Sequence, residues 1–391
     1  MRVLIINSVC GTGSTGRICV DLYKELVAAG HECCIAYGRG RSSENIYTYK
    51  IGNNKDVYQH VLETRLFDNH GFASRKATKE FINFLDDYNP DVISLHNLHG
   101  YYLNVKELFS YLSKLNIKVF WTFHDCWPFS PHSAYIDRLS NGMLPEKNTT
   151  FYERYEYPAC FLFSRSSYNY KRKRKYFTTL KSLNIITPSY WLGGLIKDSF
   201  FYDNEISVIN NGIDLNNFFK DQSDYLKKKL NLKEKKIVLG VANIWEPRKG
   251  IQVFNEISTL LPDSYKIVLV GRVPKGTKIN SKITILKQVS DIKELRQIYS
   301  SADIFLNPTL EDNYPTTNLE ACACGTPVIT SHFGGAPETI QKGKGIVFYN
   351  VKDLISKISN LEWFEKDSDI ISYRIDKKIM FKKYIEYFER N

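Results

Sequence analysis

EDNYPTTNLEACACGTPVITSHFGGAPE, running from Glu311 to Glu338, decides how this chain folds. Just before it, Ile304 to Leu306 is a short apolar run. Pro308, Asp312, Asn313 and Pro315 then break the pattern, so a strand is expected to leave through a loop and a helix to begin near Pro315. The helix runs through Leu319 and Ala323 until Gly325, Thr326 and Pro327 stop it, and Val328 to Thr330 returns as a strand. Strand, helix, strand at this spacing is the building unit of a parallel sheet. The helix then opens at the carboxyl edge of that sheet, where the free amides of Thr316 and Thr317 and the helix dipole favour an anion such as a diphosphate. Asp312 in the loop and Glu320 eight positions later both border a ligand lying across that helix start. Carboxylates repel a diphosphate, so both are read as acceptors for the sugar and ribose hydroxyls at its ends. A solvated loop followed by a helix with a capping acid is the plainer alternative.

The alternation continues in both directions. Val3 to Ile6, Cys33 to Tyr37, Val92 to Leu95 and Val119 to Thr122 read as strands, with helices at Arg17 to Ala29, through Phe81 and Leu85, and at Val105 to Leu115. A second set comprises Ile206 to Ile209, Ile237 to Val241, Ile267 to Val270, Ile283 to Leu286, Ile304 to Leu306, Val328 to Thr330 and Ile346 to Phe348. The expected fold is α/β, with two tandem Rossmann-like, doubly wound domains at 1–188 and 189–366. A length of 391 residues suits two such cores. The aromatic stretch from Cys126 to Arg165 lacks periodicity and reads as a long functional loop.

Each predicted sheet carries a phosphate-type loop at its carboxyl edge. The first is Gly11, Gly13 and Gly16; no acid closes the strand that follows, which disfavours a nicotinamide cofactor, and a tight strand-to-helix turn is the alternative. The second, after Val241, brings Arg248, Lys249 and Gly250 to a helix start. Cations oppose the dipole there, so the pair points to an anionic ligand and can neutralise a leaving diphosphate.

Composition narrows the partners. The net charge of +11 calls for a polyanion: nucleic acid, an anionic membrane or a phosphorylated substrate. Nucleic-acid binding would interleave aromatics and cations on one surface, whereas the strongest motifs here gather acids and glycines on loops. The eight cysteines are irregularly spaced and read as idle thiols rather than a disulfide framework. His124, Cys126 and His132 approach a ligand spacing but lack a fourth group, so no metal is expected. With no signal-peptide pattern and no apolar run near ~20 residues, a cytoplasmic location is expected.

These motifs occur in an order that resembles a retaining glycosyltransferase of family four with the GT-B fold, within it the bacterial enzymes of capsule, colanic acid and O-antigen assembly. The resemblance spans nearly the whole chain. EDNYPTTNLEACACG is similar to the family's Glu-x7-Glu motif, and it is joined by NNGIDLNNF at 210–218, WEPRKG at 245–250, GGAPE at 334–338 and WTFHD at 121–125. The resemblance implies a nucleotide-diphosphate sugar as substrate, UDP- or GDP-linked, a glycan or polyprenyl-diphosphate-linked acceptor, and neither metal nor cofactor. It implies that Asp312 holds donor-sugar hydroxyls, Glu320 the ribose, and Lys249 with Arg248 the diphosphate. His124 would lie beside the anomeric region and Gly13 near the phosphates. Asn243, Glu311, Asn313 and Tyr314 complete the implied donor wall. A C-terminal helix at about 367–391 is expected to pack back on the first domain. Two departures stand out: the first motif acid is Asp312 with Glu311 beside it, leaving open which carboxylate reaches the sugar, and Ala242 and Asn243 replace the usual Gly-Arg, with Arg272 a possible substitute.

His96 and His99, with Arg17, read as acceptor contacts, a structural turn or a metal pair. The run Lys171 to Lys175, preceded by Tyr168 and Tyr170, suits acceptor phosphates and the inner membrane face, or a solvated helix. A nucleotide-sugar epimerase and a basic nucleic-acid-binding protein are the rival functions.

Overall fold

A computed structural model describes all residues except 43–44, 136–157, 181, 223, 233, 341–343, 363, 365–374 and 391. The chain divides into two compact units, Met1–Ile209 with Phe381–Asn391, and Asn210–Met380.

The first unit is built on a seven-stranded sheet in the order β3-β2-β1-β4-β5-β6-β7, in which every pairing is parallel. Its strands are β1 Arg2–Val9, β2 Glu32–Arg39, β3 Thr48–Lys50, β4 Val92–Leu95, β5 Lys118–Thr122, β6 Leu183–Thr187 and β7 Ile206–Val208. The central strands are continuous apolar runs because helices cover both faces. One core gathers Leu4, Ile6, Ile93, Leu95, Val119 and Trp121 with Phe81, Leu108, Phe109 and Phe177 from neighbouring helices.

The second unit is a six-stranded parallel sheet in the order β10-β9-β8-β11-β12-β13. Its strands are β8 Lys236–Ile244, β9 Tyr265–Arg272, β10 Thr284–Leu286, β11 Ile304–Asn307, β12 Val328–Ser331 and β13 Gly345–Phe348. Side chains alternate between two cores. Val238, Leu269, Ile304 and Leu306 face one, and Ile237, Leu239, Val268 and Phe305 face the other. In both sheets the strand order reverses beside the first strand, between β1 and β4 and between β8 and β11. At such a point neighbouring loops part to opposite faces and leave a crevice at the carboxyl edge.

Ile206 to Ile209 was expected in the second set, but β7 pairs with β6 in the first sheet, with the helix Tyr190–Lys197 as crossover. The division therefore falls at Ile209/Asn210 and not at 188/189. Strands β3 and β6 were not anticipated; both are short, and β6 opens with Leu-Asn rather than a pure apolar run. The closing helix is Lys377–Arg390, which joins the first unit from Phe381 onward; 367–374 and 391 of the expected 367–391 lie outside the described residues, as do 136–157 of the long loop.

Candidate functional site

The loop after β8 and the loop after β11 meet where the second sheet reverses its order. A short 3-10 turn, Pro247–Lys249, leads into Gly250 at φ +73°, and a β-carbon on Gly250 would lie 2.0 Å from the Pro308 carbonyl oxygen. Only glycine lets the two loops approach so closely. The approach is sealed by the Leu310 amide donating to the Arg248 carbonyl at 2.7 Å. Lys249 Nζ then donates to Asp312 Oδ2 at 2.5 Å. Arg248 is bonded to the Glu246 carboxylate at 3.2 Å and to the Glu311 carbonyl at 3.4 Å. Burial pushes the Asp312 carboxyl up, but the Lys249 ammonium, with Arg248 behind it, outweighs burial and holds it below the ordinary value.

Behind this loop sits the Gly-Gly turn of GGAPE. The Gly335 amide donates to the Asp312 carbonyl at 2.8 Å, and Gly334, at φ +64°, would drive a β-carbon to 2.4 Å from the same oxygen. The turn thus fixes the backbone that carries Asp312. Of the two neighbouring acids, Asp312 is the one joined to Lys249, while Glu311 is buried. Asn313 and Tyr314 are buried next to it, and the Tyr314 hydroxyl is pushed up to about 12 by burial and by Glu338.

The helix Thr316–Ala323 begins directly after Pro315 without a side-chain cap on its first amides. It is pinned by Asn318, which accepts from Asn307 at 2.9 Å and donates to Thr330 at 3.1 Å and Thr339 at 2.7 Å. Glu320, one turn in, accepts from the buried Tyr299 hydroxyl at 2.8 Å, with Thr316 Oγ1 3.5 Å from its other oxygen. Thr317 is part-exposed on the same first turn. Asn243 and Arg272 stand at the ends of β8 and β9, where a bulge interrupts the pairing; Asn243 accepts from Gln288 at 2.8 Å, and both are exposed.

In the first unit, Gly11 and Gly13 form the turn after β1, and the helix Gly13–Ala28 begins four residues earlier than the sequence suggested. Arg17 is exposed on it and donates to the Gly13 carbonyl at 3.1 Å. At the ends of β4 and β5 the histidines separate by role. His96, expected as an acceptor contact, is 1% exposed, because its ring lies 2.9 Å from His124 Nε2 on one side and 3.2 Å from Ser94 Oγ on the other. The two rings are stacked, with centroids 5.2 Å apart and planes within 16°. Burial lowers His124 to about 4, Asp125 opposing and His99 adding to the shift. His99 Nε2 lies 2.6 Å from Asp125 Oδ2, whose other oxygen accepts from the Trp127 amide at 2.9 Å. His132, one of three residues at near-ligand spacing, pairs with Asp68 at 2.9 Å. Among the described residues no group of three or more His, Cys, Asp or Glu is placed to hold a metal, and all eight cysteines are buried free thiols.

Residues 15–217 match the family described as Glycosyltransferase Family 4, and residues 235–362 match Glycosyl transferases group 1. The chain belongs to glycosyltransferase family 4. Among curated relatives of this family-4 chain, an N,N'-diacetylbacillosaminyl-diphospho-undecaprenol alpha-1,3-N-acetylgalactosaminyltransferase of Campylobacter jejuni is 33% identical over 48% of the chain and 55% of the relative. A chain of Escherichia coli (strain K12) named as a colanic acid biosynthesis glycosyl transferase is 23% identical over 88% and 86%. An O-antigen chain mannosyltransferase of Salmonella typhimurium is 28% identical over 48% and 53%. The chain thus spans about half the length of two of these three relatives. Among solved structures, sucrose-phosphate synthase of Thermosynechococcus elongatus superposes with a TM-score of 0.70 at 15% identity, covering 100% of this chain and 98% of that one. An Anabaena protein solved with UDP-glucose gives 0.64 at 14% identity, with both chains fully covered at 100%. The family-4 chain therefore has the GT-B fold.

Sequence reasoning missed Tyr299, Asn307 and Asn318. Asn318 carried a usable signal, since an amide inside a helix with an apolar neighbour on each side of its turn needs a buried partner. Tyr299 carried none, because its bond to Glu320 joins two helices 21 positions apart.

Proposed function

We propose that this chain transfers a sugar from a UDP- or GDP-linked donor to a lipid-linked glycan acceptor, with retention at the anomeric carbon, in surface polysaccharide assembly at the cytoplasmic face of the membrane. The observation that carries the reading is the Lys249 to Asp312 pair, set where the second sheet reverses its order and next to an uncapped helix start. A diphosphate on the amides of Thr316 and Thr317 would meet Lys249 and Arg248, which disperse the charge that grows as the bond to the sugar breaks. Asp312 then turns its second oxygen to sugar hydroxyls, and Glu320, already oriented by Tyr299, accepts from the ribose. The acceptor hydroxyl attacks C1 from the face the diphosphate leaves; the C1–O bond to phosphate breaks, the new C1–O bond forms, and the acceptor's proton passes to the departing diphosphate. No side chain serves as nucleophile and no metal is invoked. The Campylobacter relative's diphospho-undecaprenol acceptor and the Anabaena neighbour's UDP-glucose support this choice of partners.

In chelator, UDP or GDP at a hundredfold excess over Kd should stabilise the protein by about 2.7 kcal/mol, a rise of several degrees in Tm. Lys249→Ala and Glu320→Ala should lose the rise. If no nucleoside diphosphate shifts the wild-type midpoint, the reading fails. Retention is checked separately by the anomeric coupling constant of the product against that of the donor.

A further inference from the structure

The first unit holds a rigid apolar ridge out toward water. Phe161, Leu162 and Phe163 are 52%, 57% and 59% exposed, yet their backbone is clamped to the end of the helix Asn54–Phe67. The Phe161 amide donates to the Arg65 carbonyl at 2.8 Å, the Phe163 amide to the Leu66 carbonyl at 3.2 Å, and Arg65 Nη1 returns a bond to the Ala159 carbonyl at 2.9 Å. These use carbonyls of the helix's last turn, which its own ladder leaves open. The exposed Phe67 stacks on Phe163, ring centroids 6.2 Å apart and planes within 3°. Consecutive large apolar side chains, fixed in place and left in water, mark a surface that meets something apolar.

The border of the ridge says what that is. The helix Ser166–Phe177 reads SSYNYKRKRKYF, with five consecutive cations and no acid. Ser166, Asn169, Lys173 and Phe177 point into the core, which turns the exposed Tyr168, Lys171 and Lys175, spaced i, i+3 and i+7, to the opposite face, with Arg172 half-buried at its edge over the ring of Phe72. This stripe adjoins the ridge: Arg172 Nη1 donates to Asn69 Oδ1 at 3.2 Å, two residues beyond Phe67, and the Arg165 amide donates to Asp68 at 2.8 Å. Among the described residues, the acids on and just after the helix Asn54–Phe67 beside the ridge are engaged, Asp68 by His132 and Glu63 by Gln59 and Asn69. An apolar wedge with aromatic flanks and a cationic margin is the composition of an interfacial membrane anchor. Lysine and arginine stems reach past such a wedge to lipid phosphates.

We propose that this ridge docks the protein on an anionic lipid bilayer, Phe67, Phe161, Leu162 and Phe163 entering the acyl boundary while Lys171 and Lys175 meet the phosphates. It deepens the lipid-linked-acceptor reading and rests on it for the choice of partner; the donor site lies in the other unit. Co-sedimentation of the full chain with vesicles of phosphatidylcholine alone, or mixed equally with phosphatidylglycerol, tests it. The wild type should bind the mixed vesicles and release them in high salt. Phe161→Ser with Leu162→Ser and Phe163→Ser should weaken that binding by about tenfold or more, and Lys171→Glu with Lys175→Glu should remove the preference for phosphatidylglycerol. All positions are exposed, so unchanged Tm verifies folding of both variants. Wild-type binding unaffected by either set, or no vesicle binding at all, overturns the proposal. So does a wild-type dimer that the triple variant converts to monomer, because the ridge would then be an interface between copies. The UDP or GDP thermal shift separates failures: vesicle binding without the shift sinks only the donor reading, and the shift without vesicle binding sinks only the bilayer.

Discussion

Single residues of the proposed donor site also hold other residues. Glu320, proposed to accept from the ribose, already accepts from the buried Tyr299 hydroxyl. Glu320→Gln keeps an oxygen for that hydroxyl, so stability should stay within about 0.5 kcal/mol of wild type, whereas Glu320→Ala strands it at about 1–3 kcal/mol. Urea denaturation reads the difference; nucleotide binding should fall in both. The histidines give a pH signature. His60, lowered by burial to about 3, and His124, lowered to about 4, both titrate near 6.5 when unfolded. A depressed folded value means the unfolded chain binds more protons, so their contribution is complete above about pH 6.5 and is lost as pH falls toward 4. Hydrogen exchange at pH 7 and pH 5 should show the first unit, which contains both, loosening while the second does not. Asp312 and Lys249 were legible from their motifs because local loop chemistry dictates them. The His96 to His124 bond was not, since 28 positions separate rings brought together by adjacent strands.

At the scale of elements, the helix Ser166–Phe177 shows why a charge run cannot be read as one face. Lys173 is 1% exposed: its ammonium donates to the carbonyls of Trp127 at 2.6 Å and Ser130 at 3.2 Å and lies 4.1 Å from the Trp127 ring centre. Burial lowers it to about 7, with Asp68 and Asp125 opposing. Lys173→Met leaves two buried carbonyls without their donor and should cost about 1–3 kcal/mol, against less than about 0.5 kcal/mol for Lys171→Met or Lys175→Met. Thermal melts of the three variants check this. The two loops of the second unit predict a further contrast. Gly250→Ala sets a β-carbon into the Pro308 carbonyl and must part the loops carrying Lys249 and Asp312, so UDP or GDP affinity should fall by about tenfold or more. Calorimetric titration reads it. Element types were visible in the sequence because apolar runs alternate so regularly with helical patterns. Sheet membership was not: β7 is as apolar as its neighbours, and only the crossover helix before it shows which sheet it completes.

Across the whole molecule, the first unit is discontinuous in sequence. Phe381, Tyr384 and Phe388 return to it from the helix Lys377–Arg390: Phe388 packs on Phe120 at 4.7 Å between ring centres, and the Thr122 hydroxyl lies 3.3 Å from that of Tyr384. Burying three aromatics contributes at most roughly 5–9 kcal/mol. A chain cut before Phe381 should therefore bind a hydrophobic dye through its first unit while the second still shows the nucleoside diphosphate shift. During synthesis the same arrangement becomes a matter of timing. About 170 residues, Asn210–Met380, are translated between the two parts of the first unit. At about 5–20 residues per second, the first part of the unit waits roughly 10–30 s for the helix that completes it. That interval is a window for chaperones, and slow codons within the second unit would lengthen it without altering a single residue.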